Sequence, residues 1–216
     1  MNIKSVQFKW GLILRHFNPT SLVKPKNYQS FQFSESFFQE NKVDLEIGSG
    51  VGWHAITYSK CNPERHLIAV ERTEVKFNKF KNRLEHHQGF KNLTPIHADI
   101  VPWTVHFLPD SSIEKIFIFY PNPYPKNPSA RFFKMPFFEY LLKKGKENLT
   151  IHLATNEFNY QQEARELSES TWKLELIQFQ ELTLKSSFNP RTHFEKKYLL
   201  RNETCYDLIF QRTKQK

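Results

Sequence analysis

From Val43 onwards the chain alternates short apolar runs with longer amphipathic stretches. Short runs rich in β-branched and aromatic residues are typical of strands. The predicted strands are Val43–Ile47, His66–Val70, Leu93–His97, Glu114–Tyr120 and Leu149–Ala154. Two further strands are predicted near the C-terminus, with no full helix between them: Lys173–Leu182 and Thr204–Gln211.

The intervening stretches are amphipathic and charged, which predicts helices. One helix is expected to begin near Val51, and the others are Thr73–His87, Ala130–Lys144 with Gly145 as its stop, and Phe158–Ser170. Strands that alternate with helices predict an α/β fold with a mostly parallel sheet. Because the last two strands lack a crossover helix, they predict an antiparallel hairpin appended to that sheet.

The N-terminal segment, residues 1–41, does not show this alternation and is expected to be an irregular arm. Lys24, Pro25 and Lys26 lie near its middle. Residues 42–216 are long enough to bury the core of one α/β domain.

The composition favours a polyanionic partner and excludes several classes of protein. The net charge is +9 and the sequence pI is about 9.4, and each phosphate contact would release condensed counterions. A basic but merely solvated surface is the alternative. No apolar run is long enough for a membrane-spanning helix, and two cysteines are too few for a disulfide framework or metal cluster. We therefore expect reduced thiols in a cytoplasmic protein with no metal.

A glycine-rich turn is expected between the first strand and the first helix. Gly48, Gly50 and Gly52 would let the backbone bend sharply and approach a ligand closely. This spacing alone is weak evidence, since dinucleotide enzymes share it. Glu46, two positions before the first glycine, favours S-adenosylmethionine over NAD, because the acid can lie near the cationic methionine part of that ligand.

Two more acids follow the next predicted strands. Glu71 ends the second strand and can accept hydrogen bonds from both ribose hydroxyls. Asp99 follows the third strand and could accept from the adenine amino group. Either acid alone could be a solvated strand end, but the acids at three successive strand ends behind a glycine turn predict a nucleoside cofactor.

The fourth strand leads into a loop with three prolines in five residues, Pro121-Asn122-Pro123-Tyr124-Pro125, followed by Lys126. Proline fixes φ, so this loop is expected to be rigid and non-helical. It should lie beside the methyl-donor position, although a merely stiff connection would have the same sequence.

With these motifs, the sequence resembles the bacterial tRNA (guanine-N7)-methyltransferases, whose first motif reads L-E-I-G-x-G-x-G and whose fourth-strand loop reads P-D-P-W-P-K. The resemblance covers about residues 43–210. It extends through Asn92-Leu93, Ala98-Asp99, Ala154-Thr155-Asn156 and Arg191-Thr192-His193-Phe194-Glu195.

The resemblance implies a Rossmann-like class I methyltransferase fold with seven strands, mostly parallel, and an antiparallel C-terminal strand. It implies S-adenosylmethionine as the cofactor and a guanine in the tRNA variable loop as the target, in a monomer or homodimer without membrane contact. The acids Glu46, Glu71 and Asp99 would bind the cofactor with the glycine turn. Asn122 would be catalytic and contact both cofactor and guanine. The substrate contacts would be Tyr124, Lys126, Asn156, Thr192 and Glu195.

Three positions depart from the family pattern. Asn122 and Asn156 stand where the family has aspartates, and Tyr124 replaces the loop tryptophan. Guanine N7 carries a lone pair and no proton, so methyl transfer needs positioning rather than a general base. An acid would still help, and a lost charge-assisted hydrogen bond, worth about 1.5–3 kcal/mol, could slow turnover about ten- to a hundredfold.

These departures leave two alternatives to guanine-N7 methylation. One is a diverged enzyme for another nucleobase or small molecule, since Asn122-Pro123-Tyr124 partly matches the N-P-P-Y loop of exocyclic-amino methyltransferases. The other is a degenerate RNA-binding member. In an active enzyme or in such an RNA-binding protein, the basic stretch from Lys185 to Arg201 would contact phosphates. The alternative is a solvated basic segment without a partner.

Overall fold

The computed structural model describes residues 17–25, 33–87, 89–185 and 188–213. Its strands form one seven-stranded sheet in the order β3-β2-β1-β4-β5-β7-β6. The strand bounds are β1 Lys42–Ile47, β2 Arg65–Glu71, β3 Leu93–His97, β4 Ile113–Phe119, β5 Gly145–Thr155, β6 Leu174–Leu182 and β7 Cys205–Arg212. The first five strands pair in parallel, and β7 is antiparallel to both β5 and β6. The predicted fold class is confirmed, and the last two strands pair antiparallel as predicted, but α7 lies between them, so they do not form a simple hairpin.

Seven α-helices connect or flank these strands in the described residues. Their bounds are α1 Glu35–Glu40, α2 Trp53–Cys61, α3 Glu74–Glu85, α4 Ile100–Phe107, α5 Phe137–Lys143, α6 Phe158–Ser170 and α7 His193–Leu200. Short 3-10 helices span Pro19–Ser21, Pro128–Ala130 and Phe132–Lys134. No helix in the described ranges is both long and apolar enough to span a bilayer.

The sheet separates two apolar layers, and the interior strand β1 contributes side chains to both of its faces. Its residues Val43, Leu45 and Ile47 point into the larger core, and alternation along the strand places Asp44 and Glu46 on the opposite face. The strand β1 also lies between β2 and β4, where the chain reverses its direction of travel across the sheet. Ligands of open α/β sheets bind at such a switch point, outside the carboxyl ends of the strands.

Asp44 is fully buried and is neutralised by neighbouring side chains. Arg65 donates to its two oxygens from Nε and Nη2, each at 2.6 Å, and Tyr58 donates its hydroxyl at 2.7 Å. Arg65 Nη2 also donates to Glu114 at 2.8 Å. A buried carboxylate is tolerated only when it is paired in this way, so these residues stabilise the amino-terminal half of β1.

The predicted helix Ala130–Lys144 is wrong over its first half. The α-helix begins only at Phe137, and the preceding segment forms two 3-10 helices. Pro136 has no N–H to donate to a preceding turn, and the amides of Lys134 and Met135 both return to the carbonyl of Arg131. The amphipathic pattern continued across this break and concealed it.

Three other helices were not predicted. The helix α7 lies between β6 and β7, where the sequence was read as having no full helix, and α4 follows β3. The arm also contains α1, whose Phe38 is 3% exposed and packs into the larger core. Lys26, with residues 1–16 and 27–32 of the arm, lies outside the described residues, so the division at residue 42 stays a prediction.

The strand β6 is the outer edge of the sheet. Its pairing with β7 shifts register between Leu176 and Gln178, which marks a bulge at Ile177. Ile177 and Phe179 are 48% and 40% exposed. This edge is therefore irregular and partly apolar.

Candidate functional site

The glycine turn after β1 has left-handed backbone conformations at all three glycines. The φ angles are +77° at Gly48, +59° at Gly50 and +77° at Gly52. A Cβ on Gly48 or Gly50 would project into open space, whereas a Cβ on Gly52 would lie 1.9 Å from Cδ2 of Phe80. The first two glycines thus leave room for a ligand, and the third allows α3 to pack against the turn.

Glu71 closes this turn from the end of β2. Its Oε2 accepts from Gly50 N–H at 2.8 Å, and its Oε1 accepts from Thr73 N–H at 2.7 Å. A carboxylate has about four lone-pair sites, so each oxygen can still accept one hydroxyl. The two backbone bonds hold the carboxylate in one orientation, as recognition of a ribose diol requires.

Asp99 has a local structural role in addition to its predicted one. It is the N-cap of α4, where Oδ1 accepts from Val101 N–H at 2.9 Å. Its Oδ2 lies 3.7 Å from Nη1 of Arg72, whose side chain is 73% exposed, while that of Asp99 is 42% exposed. The cap explains why a helix begins here, and Asp99 also lines a cleft beside the glycine turn.

Glu46 is 2% exposed and lies on the face of β1 opposite the larger core. Its Oε2 is 3.1 Å from Nδ1 of His54. Within the described residues, neither of these two buried atoms has a hydrogen bond of good geometry. Both residues line a cleft beside Gly48, so the buried carboxylate can accept from a cationic ligand group.

Two adjoining clefts surround the glycine turn. The first has a volume of about 550 Å³ and brings together Gly48, Gly50, Glu71, Asp99, Asn122 and Tyr124. The second, of about 530 Å³, contains Glu46 and Thr192. Gly48 and Gly50 line both, as does Phe119 at the end of β4. Most of the residues predicted for cofactor and base therefore meet around one turn.

The proline-rich loop after β4 is held in a strained conformation. Tyr120 and Tyr124 have φ angles of +50° and +43°, which residues with a Cβ adopt at a cost. Oδ1 of Asn122 accepts from Tyr124 N–H at 3.1 Å, and Nε of Arg131 donates to Pro123 O at 2.7 Å. The Asn122 oxygen is thus used within the loop, which orients its amide NH₂ group away from that bond.

The loop is connected to α7 through a buried polar cluster. The hydroxyl of Tyr120 donates to Oε2 of Glu195, which also accepts from Arg191, and Arg191 Nη1 donates to both oxygens of Asp207 at 2.9 and 3.0 Å. Burial, with the Glu195 charge, raises the pKa of Tyr120, so this hydroxyl stays a donor. Burial also raises the pKa of Asp207, against the opposing effect of Arg191.

Thr192 and Glu195 form the N-terminal cap of α7. Thr192 Oγ1 accepts from Glu195 N–H at 3.0 Å, and Oε1 of Glu195 accepts from Arg191 N–H at 3.1 Å. Thr192-x-x-Glu195 has the sequence signature of a capping box, a signal that could have predicted α7, although Glu195 accepts from Arg191 N–H rather than from the N-cap amide. Because Glu195 is 1% exposed, its placement is that of a residue supporting the loop rather than lining the cleft. Sequence reasoning did not single out Tyr120, nor Asp207.

The remaining predicted residues lie outside the walls of these clefts. Lys126 is exposed on the loop. Asn156, after β5, donates from Nδ2 to Oε2 of Glu203 at 2.8 Å. Gly52, the last glycine of the turn, packs against Phe80 and does not line either cleft. The roles expected for Lys126 and Asn156 toward a substrate stay predictions.

Comparison with known proteins agrees with this geometry. A family model described as "Putative methyltransferase" matches residues 40–208. A tRNA (guanine-N(7)-)-methyltransferase of Nitrosomonas eutropha is 28% identical over 187 residues, which are 80% of this chain and 83% of the relative. One of Salmonella choleraesuis is 27% identical over 190 residues, with 84% and 77% covered.

Solved structures share the fold. An antibiotic-related methyltransferase superposes with a TM-score of 0.61 at 13% identity, covering 88% of this chain and all (100%) of the other. A methyltransferase from Aquifex aeolicus, titled as SAM dependent, gives 0.55 at 14% identity, with 82% and 87% covered. These likenesses confirm the Rossmann-like methyltransferase architecture, and the family model, which spans most of the sequence, shows that the chain belongs to this methyltransferase family.

Proposed function

We propose that this protein transfers a methyl group from S-adenosylmethionine to N7 of a guanine in tRNA. The observation that carries the proposal is the first cleft, in which Glu71 and the glycine turn face Asn122 and Tyr124 of the proline-rich loop. A nucleoside donor and a base can meet there. The tRNA (guanine-N(7)-)-methyltransferase names of the relatives support guanine as the base.

The described residues fit the cofactor at its two ends. Glu71 would accept the ribose hydroxyls, and Asp99 Oδ2 would accept the adenine amino group. Glu46, whose buried Oε2 has a free acceptor site, would lie near the methionine ammonium. S-adenosylmethionine supplies an electrophilic methyl group on a sulfonium. The open space before Gly48 and Gly50 would admit it.

Asn122 suits the N7 edge of guanine better than a sequence comparison suggests. Because its Oδ1 already accepts from Tyr124 N–H, its Nδ2 group is left to meet the base. An amide N–H donates, and O6, which neighbours N7 on the major-groove edge, is an acceptor. A donor to O6 would orient N7 toward the methyl group without any proton transfer, so positioning supplies the rate enhancement.

Two other loop residues would hold the substrate. Tyr124 offers a ring for stacking on the base, and the hydrogen bond from its N–H to Asn122 Oδ1 holds its backbone within the loop. Lys126 is exposed at the end of the loop and can contact a phosphate. Transfer RNA would be the partner, the cytoplasm the compartment, and a monomer or homodimer the working form.

The test is methyl transfer from isotopically labelled S-adenosylmethionine to tRNA that lacks 7-methylguanosine. The products are digested to nucleosides and identified by mass spectrometry. We expect labelled 7-methylguanosine from the wild-type protein and much less of it from Glu71→Gln at sub-saturating cofactor. A different labelled nucleoside would overturn guanine N7 as the target. Cofactor binding without any label would overturn the proposal and favour a non-catalytic RNA-binding protein.

A further inference from the structure

A surface beside the second cleft combines positive charge with aromatic rings. It is built from the exposed side of α3, the first residue of α2 and the first turn of α7. We name it the basic–aromatic surface; its members are Trp53, Lys76, Lys79, Arg83, His193, Phe194 and Lys196.

The cations of α3 share one face of that helix. Lys76, Lys79 and Arg83 are separated by three and four residues, which places them in one row. All three line the second cleft. Across the described residues, none of them forms an ion pair with a carboxylate, so their charge is available to an anionic partner.

Residues of α7 complete the surface and hold it together. His193 packs edge-on against Trp53 at 4.6 Å between ring centroids, and its Nε2 is 3.3 Å from Nη2 of Arg83. Burial, with the charges of Arg83 and Lys196, lowers the pKa of His193, which leaves a neutral ring able to accept from Arg83.

Further contacts put cations over exposed rings. Lys76 Nζ lies 5.6 Å from the ring of Phe194, which is 40% exposed, and Lys196 Nζ lies 6.0 Å from the ring of Trp53. Alternating cations and rings are typical of nucleic-acid surfaces, where lysines and arginines follow phosphates and rings stack on bases.

We infer that the basic–aromatic surface binds the sugar–phosphate backbone of the RNA next to the target guanine. The inference rests on the proposed function, because it assumes that the base enters the first cleft. The surface adjoins that cleft through Lys76 and Phe194, which line both clefts. One RNA strand can therefore contact the surface while its base reaches Asn122.

The experiment measures the affinity for unmodified tRNA at several salt concentrations. Lys79→Gln/Arg83→Gln should weaken binding about tenfold at low salt and reduce the slope of log K against log[salt] by about 1.4–1.8, that is 0.7–0.9 for each lost phosphate contact. The matched control is Lys42→Gln/Lys91→Gln, since both lysines are exposed at the amino-terminal ends of β1 and β3, whereas the clefts lie at the carboxyl ends of the strands. This control should leave the slope almost unchanged.

A second variant, Lys196→Gln, lies on a different helix and keeps the test valid if the α3 variant fails to fold. It should reduce the slope by about 0.7–0.9. Cofactor affinity, measured by calorimetry, should stay at the wild-type value in both variants. Equal losses in the control and the α3 variant, or a loss of cofactor affinity, would overturn the inference.

The binding measurement does not depend on turnover. If the wild-type protein leaves tRNA unmethylated but the variants still reduce the slope, the proposed function fails and the surface stands as an RNA-binding site. If methylation proceeds and the slope does not respond, the surface assignment alone fails.

Discussion

The hydroxyl group of Tyr120 donates a 3.0 Å hydrogen bond to Oε2 of Glu195. This bond joins the end of β4 to the first turn of α7, two segments separated by 75 residues. Tyr120 is also the first residue of the proline-rich loop and has a left-handed backbone. Glu195 therefore supports the loop that presents Asn122, and it acts through Tyr120.

Tyr120→Phe removes one of the hydrogen bonds that Oε2 of the buried Glu195 carboxylate accepts, while those from Arg191 remain. We expect a loss of about 1–3 kcal/mol in the free energy of unfolding, measured by urea denaturation. Because the loop loses its anchor, kcat should fall about tenfold while the Kd for cofactor stays unchanged. Tyr206→Phe, outside the clefts, is the control. An unaltered kcat in Tyr120→Phe would contradict a role of Tyr120 in positioning the loop.

Alanine should affect mainly stability at Gly52 and mainly cofactor binding at Gly50. Gly52→Ala places a methyl group against the Phe80 ring, and overpacking combined with a left-handed backbone should cost about 2–5 kcal/mol of stability. Gly50→Ala has open space at its Cβ, so only the backbone penalty of about 1–2 kcal/mol applies.

The methyl group of Gly50→Ala would, however, occupy the space before Glu71 that we assign to the cofactor. We expect the loss in its free energy of cofactor binding, measured by calorimetry, to exceed the loss in its free energy of unfolding, measured by thermal unfolding. If Gly50→Ala binds cofactor like the wild type, the turn does not hold the ligand.

Glu71→Gln should weaken cofactor binding about ten- to a hundredfold, which corresponds to about 1.4–2.7 kcal/mol. Glutamine has one acceptor oxygen, so it cannot serve both Gly50 N–H and Thr73 N–H and a ribose diol as well. Calorimetry measures the change. Glu74→Gln, an exposed neighbour in the first turn of α3, should bind normally; wild-type affinity in Glu71→Gln would refute the ribose assignment.

We expect aspartate, the residue of the family pattern, to lower the free energy of unfolding at position 156 more than at position 122. Asn156→Asp would set a carboxylate against Glu203, whose Oε2 now accepts from the Asn156 amide at 2.8 Å. We expect about 1 kcal/mol of destabilisation at neutral pH from this like-charge pair. The loss should disappear in acid, where one carboxyl is protonated, and in Asn156→Asp/Glu203→Gln.

Urea denaturation at pH 7 and pH 4 measures this coupling as a double-mutant cycle. Asn122→Asp serves as the contrast, because aspartate can still accept from Tyr124 N–H. If Asn156→Asp has the same stability with and without Glu203→Gln, the side chains at positions 156 and 203 are not coupled.

Stability should fall in mild acid because of His152. Burial, assisted by the charges of Lys115 and Arg191, lowers its pKa to about 3. Between that value and about 6.5, the ordinary histidine pKa, the unfolded chain binds a proton that the folded chain does not. Stability from this residue is therefore full above about pH 6.5 and declines below it, by at most about 1.4 kcal/mol per pH unit.

The variant His152→Gln should flatten this decline, as seen in urea denaturation between pH 4 and pH 7. His86→Gln, at an exposed position, is the control and should retain the wild-type slope. An unchanged slope in His152→Gln would mean that position 152 accepts a proton in the folded protein.

The sequence predicted the sheet closely because buried parallel strands are short, continuous apolar runs; β3, for example, has the predicted bounds Leu93–His97. The helix α7 was missed because its polar sequence carries little hydrophobic pattern, although its Thr192–Glu195 cap is readable. The helix α5 begins only after Pro136, whereas the amphipathic pattern predicted a helix that starts at Ala130. The local pattern of apolar and polar residues therefore predicts which segments are buried better than it predicts where helices begin and end.

The candidate site divides along the same line. Glu71 could be assigned from its position at a strand end, since topology fixes where strand ends meet. The burial of Glu195 could not, because its partners Tyr120 and Arg191 come from separate elements and only the folded chain brings them together. The same holds for Asn156, whose partner Glu203 lies 47 residues away.

The edge strand β6 limits how a second copy of this protein would pair along it. Its bulge at Ile177 interrupts the regular register that a second strand would need, and Glu175 and Glu181 add like charges to any pair of copies aligned along it. Ile177 and Phe179 nevertheless offer an apolar surface. Self-association through this edge is therefore opposed by charge and favoured by apolar contact, so added salt shifts the balance toward association.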